Sequence, residues 1–167
     1  YEYRQDSDFH YLTGFPEPEA VAVLPNLHPE HRFVLFVRPR DKEKETWNGR
    51  RSGPEGAMAK YGADAAYTID QMDEMLPKYI ENAPRLFYRL GLYKEFDDKI
   101  ALWMNRIRAA IRTGVTAPSE IVDPGTIVHE MRLVKGAADL ALLRRACEIS
   151  AEAHVAAMRA CKPGMNE

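Results

Sequence analysis

The string His129-Glu130-Met131-Arg132-Leu133 opens as a zinc-protease helix does, with a histidine to hold a metal and a glutamate to serve as general base. That chemistry needs a second histidine one helical turn later, and Leu133 stands there instead. The segment therefore reads as a structural histidine beside a solvated or capping glutamate. Cys147, His154 and Cys161 share one helical face, but successive members lie about 10.5 Å apart along the axis. Zinc holds its ligands within about 2.3 Å, so one helix cannot close that site, and the three read as small polarizable residues facing a neighbouring element. Gly49-Arg50-Arg51-Ser52-Gly53-Pro54 is a basic, glycine-containing loop suited to an anion, yet it lacks the lysine and hydroxyl order of a phosphate-binding loop and reads as an exposed turn.

The close carboxylate pairs are Asp6 with Asp8, Glu17 with Glu19, and Asp97 with Asp98. None has a second acidic pair near it in sequence, and only Asp6 with Asp8 has a histidine close by, the lone His10, so solvated or capping roles suit all three. Ser7, Ser52, Ser119 and Ser150 lack the glycine frame of a nucleophile elbow. From spacing alone no catalytic apparatus is visible. Trp47 is the odd residue, an indole next to arginines in a charge-rich segment. An aromatic so placed either marks a contact surface or folds back on its own domain, and the residues alone leave both open.

The elements that must position these groups follow from patterning. Val21 to Leu24 and Arg32 to Val37 are β-branched, apolar runs separated by the proline-bounded Pro25-Asn26-Leu27-His28-Pro29, which predicts two neighbouring strands. Ala66 to Thr68 and Leu86 to Tyr88 are shorter strand candidates, each after a segment able to form a helix. This alternation predicts an α/β domain, a sheet covered by helices. Ile100, Met104, Ile107 and Ile111 recur at helical spacing and predict a helix from about Asp97 to Arg112, capped by Asp97 or Asp98 and ended by a left-handed Gly114. A helix over Asp70 to Ile80 should break or kink at Pro77, which lacks an amide donor. Asp123-Pro124-Gly125 is the best linker signal, with a short helix after it. From Ala137, the stripe Leu140, Leu143, Cys147, Ala151, His154, Met158 and Cys161 predicts one long helix stopped by Lys162-Pro163-Gly164.

Composition sets the outer limits. The 167 residues, 46% of them apolar, suffice for one domain with perhaps an appendage, and the net charge of -2 comes from mixed signs. No polybasic field favours nucleic acid or anionic lipid, and no apolar run approaches the roughly 20 residues of a membrane span. A cytoplasmic address is the default expectation. Cys147 and Cys161 lie about 21 Å apart along the predicted helix, too far for a disulfide. The chain starts at Tyr1 and stops at Met165-Asn166-Glu167, and is expected to be a fragment at both ends.

Several strings resemble one family. Tyr3-Arg4-Gln5-Asp6-Ser7-Asp8-Phe9-His10-Tyr11-Leu12-Thr13-Gly14-Phe15 followed by Glu17-Pro18-Glu19-Ala20-Val21, then Trp47-Asn48-Gly49-Arg50-Arg51, are similar to the N-terminal domain of aminopeptidase P. Val128-His129-Glu130-Met131-Arg132-Leu133-Val134-Lys135 looks like its hinge into the peptidase domain. Leu142-Leu143-Arg144-Arg145-Ala146 through Cys161-Lys162-Pro163-Gly164-Met165 resembles the opening helix of that domain.

The resemblance implies a ribonuclease-H-like α/β fold, a mixed sheet with flanking helices, over residues 1–135. It implies the first helix of a truncated pita-bread metallopeptidase domain over residues 136–167. It implies an enzyme that releases the N-terminal residue from peptides with proline in second position, using two divalent metal ions, commonly manganese. Their ligands, two aspartates, a histidine and two glutamates, would all lie beyond Glu167, so the fragment itself is expected to hold no cofactor, no catalytic residue and no activity. In that family the N-domain builds homo-oligomer contacts, dimer or tetramer, and narrows access to the active site. Trp47 matches a position where an aromatic approaches a neighbouring subunit's active site, and Arg112 a basic position of the same domain. Lys135-Gly136-Ala137-Ala138-Asp139-Leu140 departs from the family's serine-proline helix start, and the first strand and helix of the domain are expected to be missing upstream. Alternatives on the same architecture are a metal-free peptide- or protein-binding module and a prolidase- or creatinase-type hydrolase.

Overall fold

The computed structural model describes residues 3–165 and divides into two compact units, Tyr1–Pro124 and Gly125–Glu167, at the predicted Asp123-Pro124-Gly125 linker. In the first unit β1 (Val21–Val23) pairs antiparallel with β2 (Val34–Val37), which pairs in parallel with β3 (Ala65–Thr68). Leu35 stands opposite both Ala22 and Ala66. A separate parallel pair joins β4 (Arg85–Phe87) to β5 (Glu120–Val122). The strands are therefore mixed in direction, as expected, but lie in two small sheets.

Strand β2 is the centre of this unit, with all four residues completely buried. Alternate side chains leave a strand on opposite faces, and here they enter two distinct cores. Val34 and Phe36 join Met72, Leu76 and Ile80 of α4 (Met72–Ile80) and Ile100, Trp103, Met104 and Ile107 of α5 (Lys94–Ala109). Leu35 and Val37 join Phe15, Ala63 and, from α3 (Gly53–Tyr61), Ala57. The result is helix, sheet, helix layering. Phe15 follows α1 (Ser7–Thr13), whose first amides, those of Asp8 and Phe9, are capped by the Asp6 carboxylate at 3.0 and 2.9 Å. The remaining helix of this unit, α2 (Lys42–Asn48), leaves the C-terminal end of β2.

Two helices depart from expectation for readable reasons. Pro77 sits inside α4 without ending it. The carbonyl it leaves without an amide donor is that of Asp73, and Arg106 from α5 fills the position, donating Nη1–H at 3.0 Å. Helix α5 begins at Lys94, earlier than predicted, so Asp97 and Asp98 lie within its first turns and not at its cap. Asp97 instead accepts from Tyr88 Oη at 2.5 Å and from the Gly91 amide at 3.0 Å, while Asp98 pairs with Lys94 Nζ at 2.7 Å. The helix also ends sooner. Ala110 closes it, a 3-10 turn over Ile111–Thr113 follows, Ile111 is exposed, and Gly114 is left-handed at φ 87° as predicted. Trp103, which the spacing did not single out, takes the core position in place of Ile111 and meets Phe96 edge-on.

The second unit comprises α6 (Gly125–Leu133) and α7 (Ala137–Ala160), the two helices expected after the linker. None of the described α7 residues is buried, and the stripe from Leu140 through Met158 is exposed along its length. Cys147 and Cys161 are free and exposed thiols. No described helix is long and apolar enough to cross a membrane.

Since Trp103 is fully enclosed and Trp47 is 88% exposed, Trp103→Ala should cost about 3–5 kcal/mol of unfolding free energy. Trp47→Ala should change it by no more than about 0.5 kcal/mol. Urea denaturation of the two variants checks both; equal losses would contradict the packing described.

Candidate functional site

The residues expected to do chemistry are not drawn together. Among the described residues no three histidine, cysteine, aspartate or glutamate side chains converge as a metal site would require. His129 and Glu130 lie on α6, where the position that a second histidine would need is the exposed Leu133. Cys147, His154 and Cys161 are spread along one side of α7 and its end, exposed and not enclosed by a neighbouring element. A cavity of about 200 Å³ lies beside His28, Tyr79 and Asn82, next to the β1–β2 connection and so at the opposite end of β2 from α2. Its polar groups are already engaged. His28 Nδ1 accepts the His31 amide at 3.0 Å, and the Tyr79 hydroxyl lies 2.9 Å from His31 Nδ1 and 3.0 Å from the Tyr67 hydroxyl. Burial first, then the Tyr67 contact, pushes the Tyr79 hydroxyl to higher pKa, so it acts as a neutral tie between connection and helix.

What stands out is Trp47. Its indole is 88% exposed, so it does not fold back on its own domain. It belongs to α2, a helix where the charge-rich segment had no assigned form. Asp41 caps that helix, its Oδ1 accepting the amides of Glu43 at 3.1 Å and Lys44 at 3.2 Å. Glu45 turns inward, only 10% of its side chain exposed, and meets Arg40 Nε at 3.3 Å. The Arg51 backbone amide also contributes to holding its charge. Arg51 donates Nη1–H to the Pro39 carbonyl at 3.4 Å.

Glu17 supports this region from below, and sequence reasoning assigned it only a solvated or capping role. Its Oε1 accepts the Ser52 amide at 2.8 Å, its Oε2 lies 3.8 Å from Arg38 Nη2, and its carbonyl accepts Gln5 Nε2–H at 2.7 Å. The 3.8 Å separation is an ion pair and not a hydrogen bond. With side-chain exposures of 14% and 12%, this pair is enclosed enough that breaking it by removing one partner is costly. No local motif announces it, since Glu17 and Ser52 are joined only through the fold. Arg112, the second expected residue, is exposed on the 3-10 turn after α5. No ring–cation contact or hydrogen bond joins it to Trp47 among the described residues.

The electrostatics of α2 follow from these contacts. The Lys44 amide and its companions hold the Asp41 carboxyl below the usual carboxylate range, and the Arg40 hydrogen bond does the same for Glu45. A lowered folded-state pKa contributes stability that is complete above the unfolded carboxylate value and is lost as pH falls through the folded value. Helix α2 should therefore keep helical carbon chemical shifts at pH 7 and lose them below about pH 4, ahead of the strands. Shifts for residues 42–48 that stay helical through that range would contradict this attachment.

Comparison with known proteins gives a consistent picture. A family model described as "Aminopeptidase P, N-terminal domain" matches residues 1–88. The Xaa-Pro aminopeptidase of Escherichia coli (strain K12) is 42% identical over 168 residues, covering 100% of this chain and 38% of that protein. The Xaa-Pro aminopeptidase of Haemophilus influenzae is 35% identical over 167 residues, covering 100% of this chain and 36% of its own length. The chain thus spans little more than a third of these relatives. The structure of Pseudomonas aeruginosa aminopeptidase PepP matches with a TM-score of 0.93 at 46% identity, over 99% of this chain and 37% of that one. Zinc-substituted E. coli aminopeptidase P in complex with product matches with a TM-score of 0.91 at 42% identity, over 99% and 38%.

Proposed function

Since this chain belongs to the aminopeptidase P family through that family's N-terminal domain, we propose that it is the substrate-gating and oligomerising domain of a metal-dependent Xaa-Pro aminopeptidase. Residues 1–135 form the domain and residues 136–167 begin the pita-bread domain that carries the chemistry. The single observation that carries the reading is identity of 42% along the whole chain to an Xaa-Pro aminopeptidase, and the indole of Trp47, held almost wholly in solvent, agrees with it. The exposed apolar stripe of α7 fits an element that belongs to a larger catalytic body. A cytoplasmic setting belongs to the same reading.

Two divalent metal ions, manganese in this reading, would activate water and polarise the scissile carbonyl. A zinc-substituted relative supports the dependence on metal. The side chains described here do not fit such a centre, because no three metal-binding groups converge. In this reading this chain's own residues bind and orient, and the bond-breaking chemistry belongs to the catalytic domain.

Trp47 offers a flat apolar face to a peptide whose second residue is proline, and a rigid indole gives contact area at small entropic cost. In the assembled homo-oligomer it reaches the active site of a neighbouring subunit. Arg112 supplies hydrogen-bond donors that suit a peptide carbonyl or a terminal carboxylate. In the full-length peptidase, Trp47→Ala should lower kcat/KM for tri- and tetrapeptides by about tenfold, the scale of one aromatic anchor. Unchanged steady-state kinetics on these peptides would remove Trp47 from the site.

A further inference from the structure

Helix α2 is unusual in what holds it. Seven residues are too few for a helix to persist unaided, and of its described side chains none is buried and only Glu45 is even partly enclosed. No apolar stripe fastens α2 to the sheet. Among its described side chains, the attachment beyond the Asp41 cap is one carboxylate, Glu45, paired with Arg40 at 3.3 Å and approached by the Arg51 amide. Successive helical residues are rotated by about 100°, so Glu45 and Trp47 lie about 200° apart around the axis. Turning Glu45 inward therefore turns Trp47 outward.

The other half of the pair is itself held in place. A Cβ at Gly53 would come within 2.7 Å of Arg40 Cγ, and Gly53 adopts φ +63°, which favours glycine on a second ground. The Arg40 stem thus lies against the start of α3, which Glu17 fixes through the Ser52 amide at 2.8 Å. A continuous path runs from Glu17 through Ser52, Gly53 and Arg40 to Glu45, and from there to the indole.

We propose that Glu45 is a positioning residue for the peptidase reaction, its ion pair with Arg40 fixing the angle at which α2 presents Trp47 and so setting the preference for substrates longer than a dipeptide. The inference rests on the reading that Trp47 meets substrate. It differs from that reading in assigning the presentation to a charge pair, which salt weakens, and not to apolar packing.

The test is a double-mutant cycle in the full-length peptidase, using an Xaa-Pro dipeptide and a tetrapeptide with proline second, with Trp47→Ala alongside. Glu45→Gln and Arg40→Gln should each lower the ratio of tetrapeptide to dipeptide kcat/KM by about threefold to fivefold, the scale of a partly exposed ion pair. The double variant should be no worse than either single one. Added salt should lower the same ratio in the unaltered enzyme and not in Trp47→Ala, a measurement that needs no variant at position 45. Equal losses on both substrates, additive losses, or a salt-insensitive ratio would overturn the inference while a selective defect in Trp47→Ala leaves the gating reading standing. If Trp47→Ala itself shows no selective defect, the gating reading falls and this inference with it.

Discussion

Everything in the first unit depends on a four-residue strand that has no solvent face. Burying Val34, Leu35, Phe36 and Val37 completely requires an apolar layer on each side, because consecutive residues point in opposite directions. The chain meets that demand with α4 and α5 on one side and with α3 and Phe15 on the other. Parallel pairing with β3 then follows from connectivity, since the return path passes through α3 and covers one face.

The same strand leads into the surface that carries Trp47. Directly beyond Val37 the chain changes from apolar to charged, with Arg38, Arg40 and Asp41 leading into α2. Packing fixes the strand to within the tolerance of a close-packed interior, whereas hydrogen bonds and ion pairs fix the helix. That division leaves one indole held out in water. An apolar face on α2 would have drawn Trp47 toward the core. A charged one leaves it 88% exposed, at the modest stability that surface charges supply.

Much of this was legible in the residues. The alternation of strands and helices, the linker at Asp123-Pro124-Gly125, the left-handed Gly114 and the long final helix all follow from periodicity and turn chemistry. What was not legible depended on partners distant in sequence. Pro77 breaks a helix only if the carbonyl of Asp73 stays unpaired, and Arg106, 33 residues away, pairs it. Asp97 reads as a cap until Tyr88 and Gly91 are brought to it. Glu17 reads as a solvated acid until the fold sets Ser52 and Arg38 against it. Trp47 stands out for its odd neighbours, but nothing local tells whether its ring faces inward. Its helix has no amphipathic period to detect, for the same physical reason that its ring is free.

The central claim is that this chain contributes no reacting group and presents Trp47 to substrate. The most direct measurement is fluorine NMR of the full-length peptidase labelled with 5-fluorotryptophan, the Trp47 signal identified by its loss in Trp47→Phe. Titration with a slowly hydrolysed peptide that has proline second should shift the Trp47 resonance and leave that of the enclosed Trp103 in place. A Trp47 resonance unmoved at saturating peptide would contradict the account.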